Sequence, residues 1–417
     1  MKPFSRDAVD SIPGPEWLRL ARLAAAERLA DKAWPSSALE EWRYSRIDTF
    51  ELDRYRPVLE PAGRVDPDAA VEFLIAGLGT EVTRIDTVDG WVAAHTGPIR
   101  ILSAGGEAET RLGEIAGEPD AFATMNLAFG PDPIVVDVPA NAAGVPIVVI
   151  HHFRSDDAAA FPRLLVRASE GSEVSVVEVF AGPARTLAVP VTELDVGRGA
   201  RVSYLQVQML GEEAWQVALQ ASRVERDATL LSAAVALGGD YARLRTDSNL
   251  IGKGGSTRLL AMYFGARHQM HDFRTVQRHS AEKTNSDLLY KGVVANQARS
   301  VYSGLIRVDK GARGTNAFQT NRNLVLHEGA HADSVPNLEI EENDVRCSHA
   351  SAVGPVSEDQ RFYLESRGVP PSITERLISL GFLGEVLEKL PFPELVPPLR
   401  KAFADKLALA EAVEVQA

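Results

Sequence analysis

Cysteine is almost absent from this chain: Cys347 is the only one in 417 residues. A lone thiol excludes an intrachain disulfide and any Cys-x-x-Cys motif, which fits a reducing cytosol. It also cannot build a metal centre by itself, because an iron-sulfur cluster or a structural zinc takes roughly four ligands. Anything held at Cys347 must borrow ligands from elsewhere, and another subunit is the expected lender.

Other absences narrow the function further. The start, Met1-Lys2-Pro3-Phe4-Ser5-Arg6-Asp7, lacks the apolar core of a secretion signal. The apolar run Ala142 to Ile150 is too short to span a bilayer and is broken by Gly144 and Pro146. A cytoplasmic protein is expected. Basic residues are outnumbered, 44 against 57 acidic ones, and the net charge of -13 repels phosphate backbones, so nucleic acid is not an expected partner. The tempting Gly252-Lys253-Gly254-Gly255-Ser256-Thr257 is no P-loop, since Asp247 stands where the first glycine is required and Gly254 follows the lysine. Gly197-Arg198-Gly199 lacks the third glycine and following helix of a dinucleotide site. The chain brings no nucleotide site of its own.

What is present falls into three textures. Behind Pro13-Gly14, the residues Trp17, Leu20, Ala21, Leu23, Ala24 and Leu29 recur near a 3.6 period, which predicts a helix over Glu16–Trp34. Residues 62–130 mix polar and apolar positions without a clean period. The middle is strand-rich, with short runs at Val145–Ile150, Leu164–Val166, Val174–Val179, Val202–Val207 and Leu259–Phe264. Gly171, Gly199, Asp227 and Gly255 are each 28 residues apart, and Val174, Val202 and Leu230 follow the first three at the third position. A turn residue and then a strand on a fixed step favours a stacked β-solenoid over a sandwich. The series breaks at Lys283, and Arg258 replaces the expected aliphatic. Helix signals return at the end. Ser372-Ile373-Thr374-Glu375 has capping-box spacing behind Pro370-Pro371, and Ile378, Phe382, Val386 and Leu390 form an apolar stripe beside Leu377, Leu383 and Leu387. A second helix is expected over Pro393–Ala410. The organisation reads as a helical and mixed region over 1–130, a β core over 131–357 and a helical domain over 358–417.

Six of the nine histidines, His268, His271, His279, His327, His331 and His349, lie in the second half. His327-Glu328-Gly329-Ala330-His331 contains a glycine that argues for a turn over a zinc-binding helix. Cys347 and His349 differ from the rest. On an extended strand, residues two apart leave the same face, so both can address one ligand while Arg346 points the other way. A neutral His349 can ligate iron or accept a proton, and bound metal would deprotonate Cys347. The residues alone leave both roles open.

Asp344-Val345-Arg346-Cys347-Ser348-His349, continued by Val353-Gly354 and by Phe362-Tyr363-Leu364-Glu365-Ser366-Arg367-Gly368, resembles the signature of the SufD family of iron-sulfur cluster assembly proteins. Further segments resemble the family's consecutive core strands: Leu289-Tyr290-Lys291-Gly292-Val293, Ala298-Arg299-Ser300-Val301-Tyr302-Ser303-Gly304, Gln319-Thr320-Asn321-Arg322-Asn323-Leu324 and Pro336-Asn337-Leu338-Glu339-Ile340. Glu41-Trp42-Arg43-Tyr44 resembles its N-terminal element. The paralogous SufB family is the near alternative, but it lacks the Cys-Ser-His triplet. One departure is Ala350, where the family commonly has glycine.

The resemblance implies a mainly β fold, with a right-handed parallel β-helix core flanked by N-terminal and C-terminal helical regions. It implies a non-catalytic scaffold that pairs with a SufB-like paralogue through the β-helix core and docks a SufC-like ATPase on its C-terminal helical domain. No cofactor is expected to be tightly bound to the chain alone. A transient iron-sulfur cluster is expected at the heterodimer interface, with His349 contributing as a metal ligand shared with the partner and Cys347 beside it. Two other classes make different demands on the sequence. A polysaccharide-active β-helix would need paired carboxylates in a cleft, and a self-sufficient Cys/His metalloenzyme would need tight metal without a partner.

Overall fold

A computed structural model describes residues 3–414 apart from positions 62, 80, 98–99 and 102–111; the expectation for the mixed region therefore falls partly outside the described residues. The strand-rich middle is a parallel β-solenoid of about eight turns. Each turn contributes one strand to each of two sheets. One sheet ends with Arg299–Val308 and His331–Ile340, the other with Thr315–Val325 and Val345–Gly354. The interior is filled by alternate residues of both sheets, as the period-two geometry of strands requires.

The turn spacing places Val174, Val202 and Leu230 in one column. The next members are Thr257, Ser286, Ala317 and Cys347, so the step varies along the stack. The recurring corner needs positive φ, which Gly171 (66°), Gly199 (64°), Asp227 (54°), Gly254 (75°) and Lys283 (56°) supply. The corners depart from the constant 28-residue spacing in two places. The corner is Gly254, not Gly255, so Thr257 and not Arg258 takes the inward slot; and Lys283 continues the series. The P-loop-like run is this corner, with Lys253 ion-paired to Glu282 at 2.8 Å.

The N-terminal region covers the outer face of one sheet. Trp42, Tyr55, Phe122 and Phe129 pack with the outward residues Val217, Tyr241, Met270 and Val301. The Glu41-Trp42-Arg43-Tyr44 element is pinned there by two buried arginines. Arg243 stacks 3.8 Å over the Trp42 ring and donates to the Glu41 carbonyl at 2.6 Å, and Arg274 donates to the Arg43 carbonyl at 2.6 Å. Asp272 lies between them, at 2.6 Å from Arg243 and 2.5 Å from Arg274. The first long helix is Glu16–Asp31, ending short of Trp34 because Lys32 turns extended and Trp34 precedes Pro35. Leu20, on the expected apolar face, is exposed.

The C-terminal helices cover the outer face of the other sheet. Val177, Val179, Leu205, Val207 and Met262 pack against Leu383, Val386, Leu387, Leu399, Phe403 and Leu407. The helix expected behind Ser372 begins instead at Pro371, with Pro370 as the cap residue and no side-chain cap bond. Proline's fixed φ suits the first helical position, so the capping box is not used. The second helix is Val396–Glu414, entered through a tight turn at Pro393–Leu395. Leu377 is exposed while the rest of the stripe is covered or half-covered. A further helix, Glu358–Glu365, is capped by Ser357 and closed by Gly368 at φ 83°. It leaves Phe362 (74%) and Tyr363 (55%) exposed.

Candidate functional site at the open end of the solenoid

Among the described residues the last strand, Val345–Gly354, pairs only with Thr315–Val325, and His331–Ile340 pairs only with Arg299–Val308. Each therefore offers one free edge of backbone donors and acceptors, a ready surface for another chain. The inward positions of this final turn have no further turn above them. Leu338 (37%), Ile340 (41%) and Val353 (45%) are large apolar side chains left open there, where a solenoid needs a cap or a partner.

Cys347 and His349 both belong to this open end. Cys347 stacks over Ala317 and His349 over Gln319, and both lower residues are buried in the interior. Cys347 and His349 thus share the inward side of the strand in adjacent columns, with Arg346 and Ser348 exposed on the opposite side. Cys347 is half-buried against Ile306, Val308, Ala312 and Ala317. Burial pushes its thiol pKa up, against a backbone hydrogen bond at Ala317 that pulls it down, so the thiol form is favoured until a cation arrives. His349 is exposed and makes no hydrogen bond among the described residues. Across the mouth, Ser351 donates to Ser334 at 2.7 Å. Ala350 sits in regular strand register with Thr320 and is exposed, so the methyl group in place of glycine's hydrogen meets no backbone demand.

The other histidines take structural positions. His271 is fully buried, and burial, helped by the Lys406 charge, drives its pKa well below the usual value. His279 is bonded to Thr284 at 2.8 Å and Ser286 at 2.9 Å, with its pKa pushed down to about 4 by burial. His327 accepts from the Asn296 amide at 2.7 Å in a turn, and His331 faces Asp333. Among the described residues no group of three or more His, Cys, Asp or Glu side chains converges to hold a metal.

Gln319 belongs to this site although none of the sequence motifs includes it as a site residue. It is 1% exposed, lies directly beneath His349, and among the described residues neither atom of its amide has a hydrogen-bond partner. Each such buried orphan costs about 1–3 kcal/mol. Its signal was readable in the alternation Ala317, Gln319, Asn321, Asn323, but only with the register of the next turn in hand.

Comparison with known proteins agrees with this architecture. The family model for the SUF system FeS cluster assembly SufBD core domain matches residues 151–382. The iron-sulfur cluster assembly SufBD family protein of Mycobacterium tuberculosis is 33% identical over 315 residues, covering 73% of this chain and 79% of the relative. The iron-sulfur cluster assembly protein SufD of Bacillus subtilis is 31% identical over 261 residues, 61% of this chain and 59% of that protein. SufD of Escherichia coli is 31% identical over 224 residues, 53% of each. The chain belongs to the SufBD family of iron-sulfur cluster assembly proteins and is SufD-like within it.

Proposed function

We propose that this chain is a non-catalytic scaffold subunit that pairs with a SufB-like paralogue end to end through the open turn of its solenoid. The nascent iron-sulfur cluster, the cargo of the assembly, forms at that junction with His349 as a donor and Cys347 beside it. The observation that carries this reading is the joint placement of both residues on the open last turn of the solenoid, beside free strand edges and exposed apolar side chains. With two donors and, among the described residues, no converging third, the chain needs a neighbour to complete a cluster's ligand set.

The ATPase in this reading is a SufC-like partner docked on the C-terminal helices. Phe362 and Tyr363 offer it an aromatic surface of the kind that anchors interfaces. Lys291 links those helices to the core, donating to the Phe382 carbonyl at 3.0 Å and pairing with Glu385 at 2.6 Å. Movement of the helices on ATP binding would thus reach the sheet that carries Cys347 and His349. Among the described residues no helix is long and apolar enough to cross a membrane. The test is cluster formation on the complex reconstituted with both partners: His349→Ala should lower the yield strongly while the complex still assembles. An unchanged yield would remove His349 from the site.

A further inference from the structure

The inference rests on the reading of His349 as a cluster-assembly residue and concerns what orients it. Gln319 and His349 are register partners on neighbouring parallel strands, which lie about 4.8 Å apart. An inward amide and an imidazole at that spacing are within side-chain reach. Below Gln319 stands the fully buried Leu288, which offers the amide no polar contact. Opposite is Gly304, where an added Cβ would collide with the Tyr302 hydroxyl and come within 2.7 Å of Gln319 Nε2. The missing side chain at Gly304 is what lets the amide extend across the interior. Yet among the described residues both amide atoms lack a partner, and so does the ring above.

An apolar side chain in this slot would stack on Leu288 without cost. Gln277 is likewise unpaired, but Ile306 of the next turn covers it, whereas Gln319 has only His349 of the open turn above it. A histidine that ligates through one nitrogen is commonly held through the other, and the second bond decides which nitrogen carries the proton. We propose that Gln319 is a positioning residue for His349: its Oε1 accepts the ring N–H and fixes one tautomer, so that the lone pair of the other nitrogen faces the open end. Rotation of the His349 side chain toward the interior makes this bond.

The test uses the full chain with ¹⁵N-labelled histidine, observed by long-range ¹⁵N–¹H correlation at a pH where the imidazole is neutral, with the melting midpoint measured alongside. In the natural chain one tautomer of His349 should dominate. Gln319→Leu should keep the fold, raise the midpoint, turn that tautomer into a mixture and lower cluster yield on the reconstituted complex several-fold. Gln319→Glu, which keeps an acceptor oxygen, should restore the single tautomer. A mixture already present in the natural chain, or an unchanged tautomer ratio in Gln319→Leu, overturns the proposal. Natural cluster yield in His349→Ala would instead refute the site reading, and the spectrum alone would still decide the Gln319–His349 bond.

Discussion

Removing the carboxylate of Asp272 should detach the N-terminal region from the solenoid. Asp272 is fully buried and accepts from Arg243 at 2.6 Å, Arg274 at 2.5 Å and the Tyr241 hydroxyl at 2.7 Å. Burial opposes its charge, but Arg243 and Arg274 outweigh that and hold its carboxyl below the usual range. Asp272→Ala leaves two buried guanidinium groups without their counterion, a loss of about 3–5 kcal/mol for a broken buried pair. The orphaned Tyr241 hydroxyl adds roughly 1–3 kcal/mol. Because the same arginines hold the carbonyls of Glu41 and Arg43, the damage should concentrate at that seam. Hydrogen exchange under increasing urea reads this directly: protection around Glu40–Tyr55 should fall first, while the final turns keep theirs. Arg243→Met combined with Asp272→Leu should lose less than the sum of the two single losses by about 2 kcal/mol. Additive losses, or an Asp272→Ala chain that unfolds like the natural one, would refute the seam as the site of that energy.

Three further outcomes are expected. His279, with its pKa pushed from 6.5 to about 4, is held neutral in the fold, so the unfolded chain binds more protons between those values and stability falls as pH drops through that window; the loss is about 3 kcal/mol. Urea midpoints of the natural chain and His279→Gln, compared from pH 7 to 4, check it, and equal slopes would contradict it. Gly292→Ala would drive a methyl into the Tyr263 ring, so the melting midpoint should drop by an equivalent of about 1–3 kcal/mol, recovered in part by Tyr263→Leu. Phe362→Asp with Tyr363→Asp should leave the midpoint unchanged, both side chains being exposed, yet abolish recruitment of the SufC-like ATPase in a pull-down; retained recruitment would move that docking site elsewhere.

Much of the core was legible because a solenoid repeats its physics. A positive-φ corner recurs turn after turn and an inward aliphatic follows the first three, so Gly171, Gly199 and Asp227 could be aligned from spacing alone. The alignment slipped at Gly254 and Lys283 because the step is set by corner geometry, which tolerates a residue more or less, while spacing assumes it constant. The helix after Pro370 was readable from its apolar stripe, but not its start at Pro371, where proline's φ overrode the capping box. The shared face of Cys347 and His349 followed from strand parity. The seam at Trp42 and the slot at Gln319 did not, since each depends on residues brought together by register across hundreds of positions or from the adjacent turn.

With a single cysteine in the chain, the reactivity of Cys347 reports on the open end alone. Its alkylation should be measured in dilute isolated chain and again after saturation with the SufB-like paralogue. If that end is where the partner sits and the cluster grows, modification should slow at least about tenfold, equivalent to about 1.4 kcal/mol of added protection. An equal rate in the formed complex would place the partner elsewhere and contradict the account.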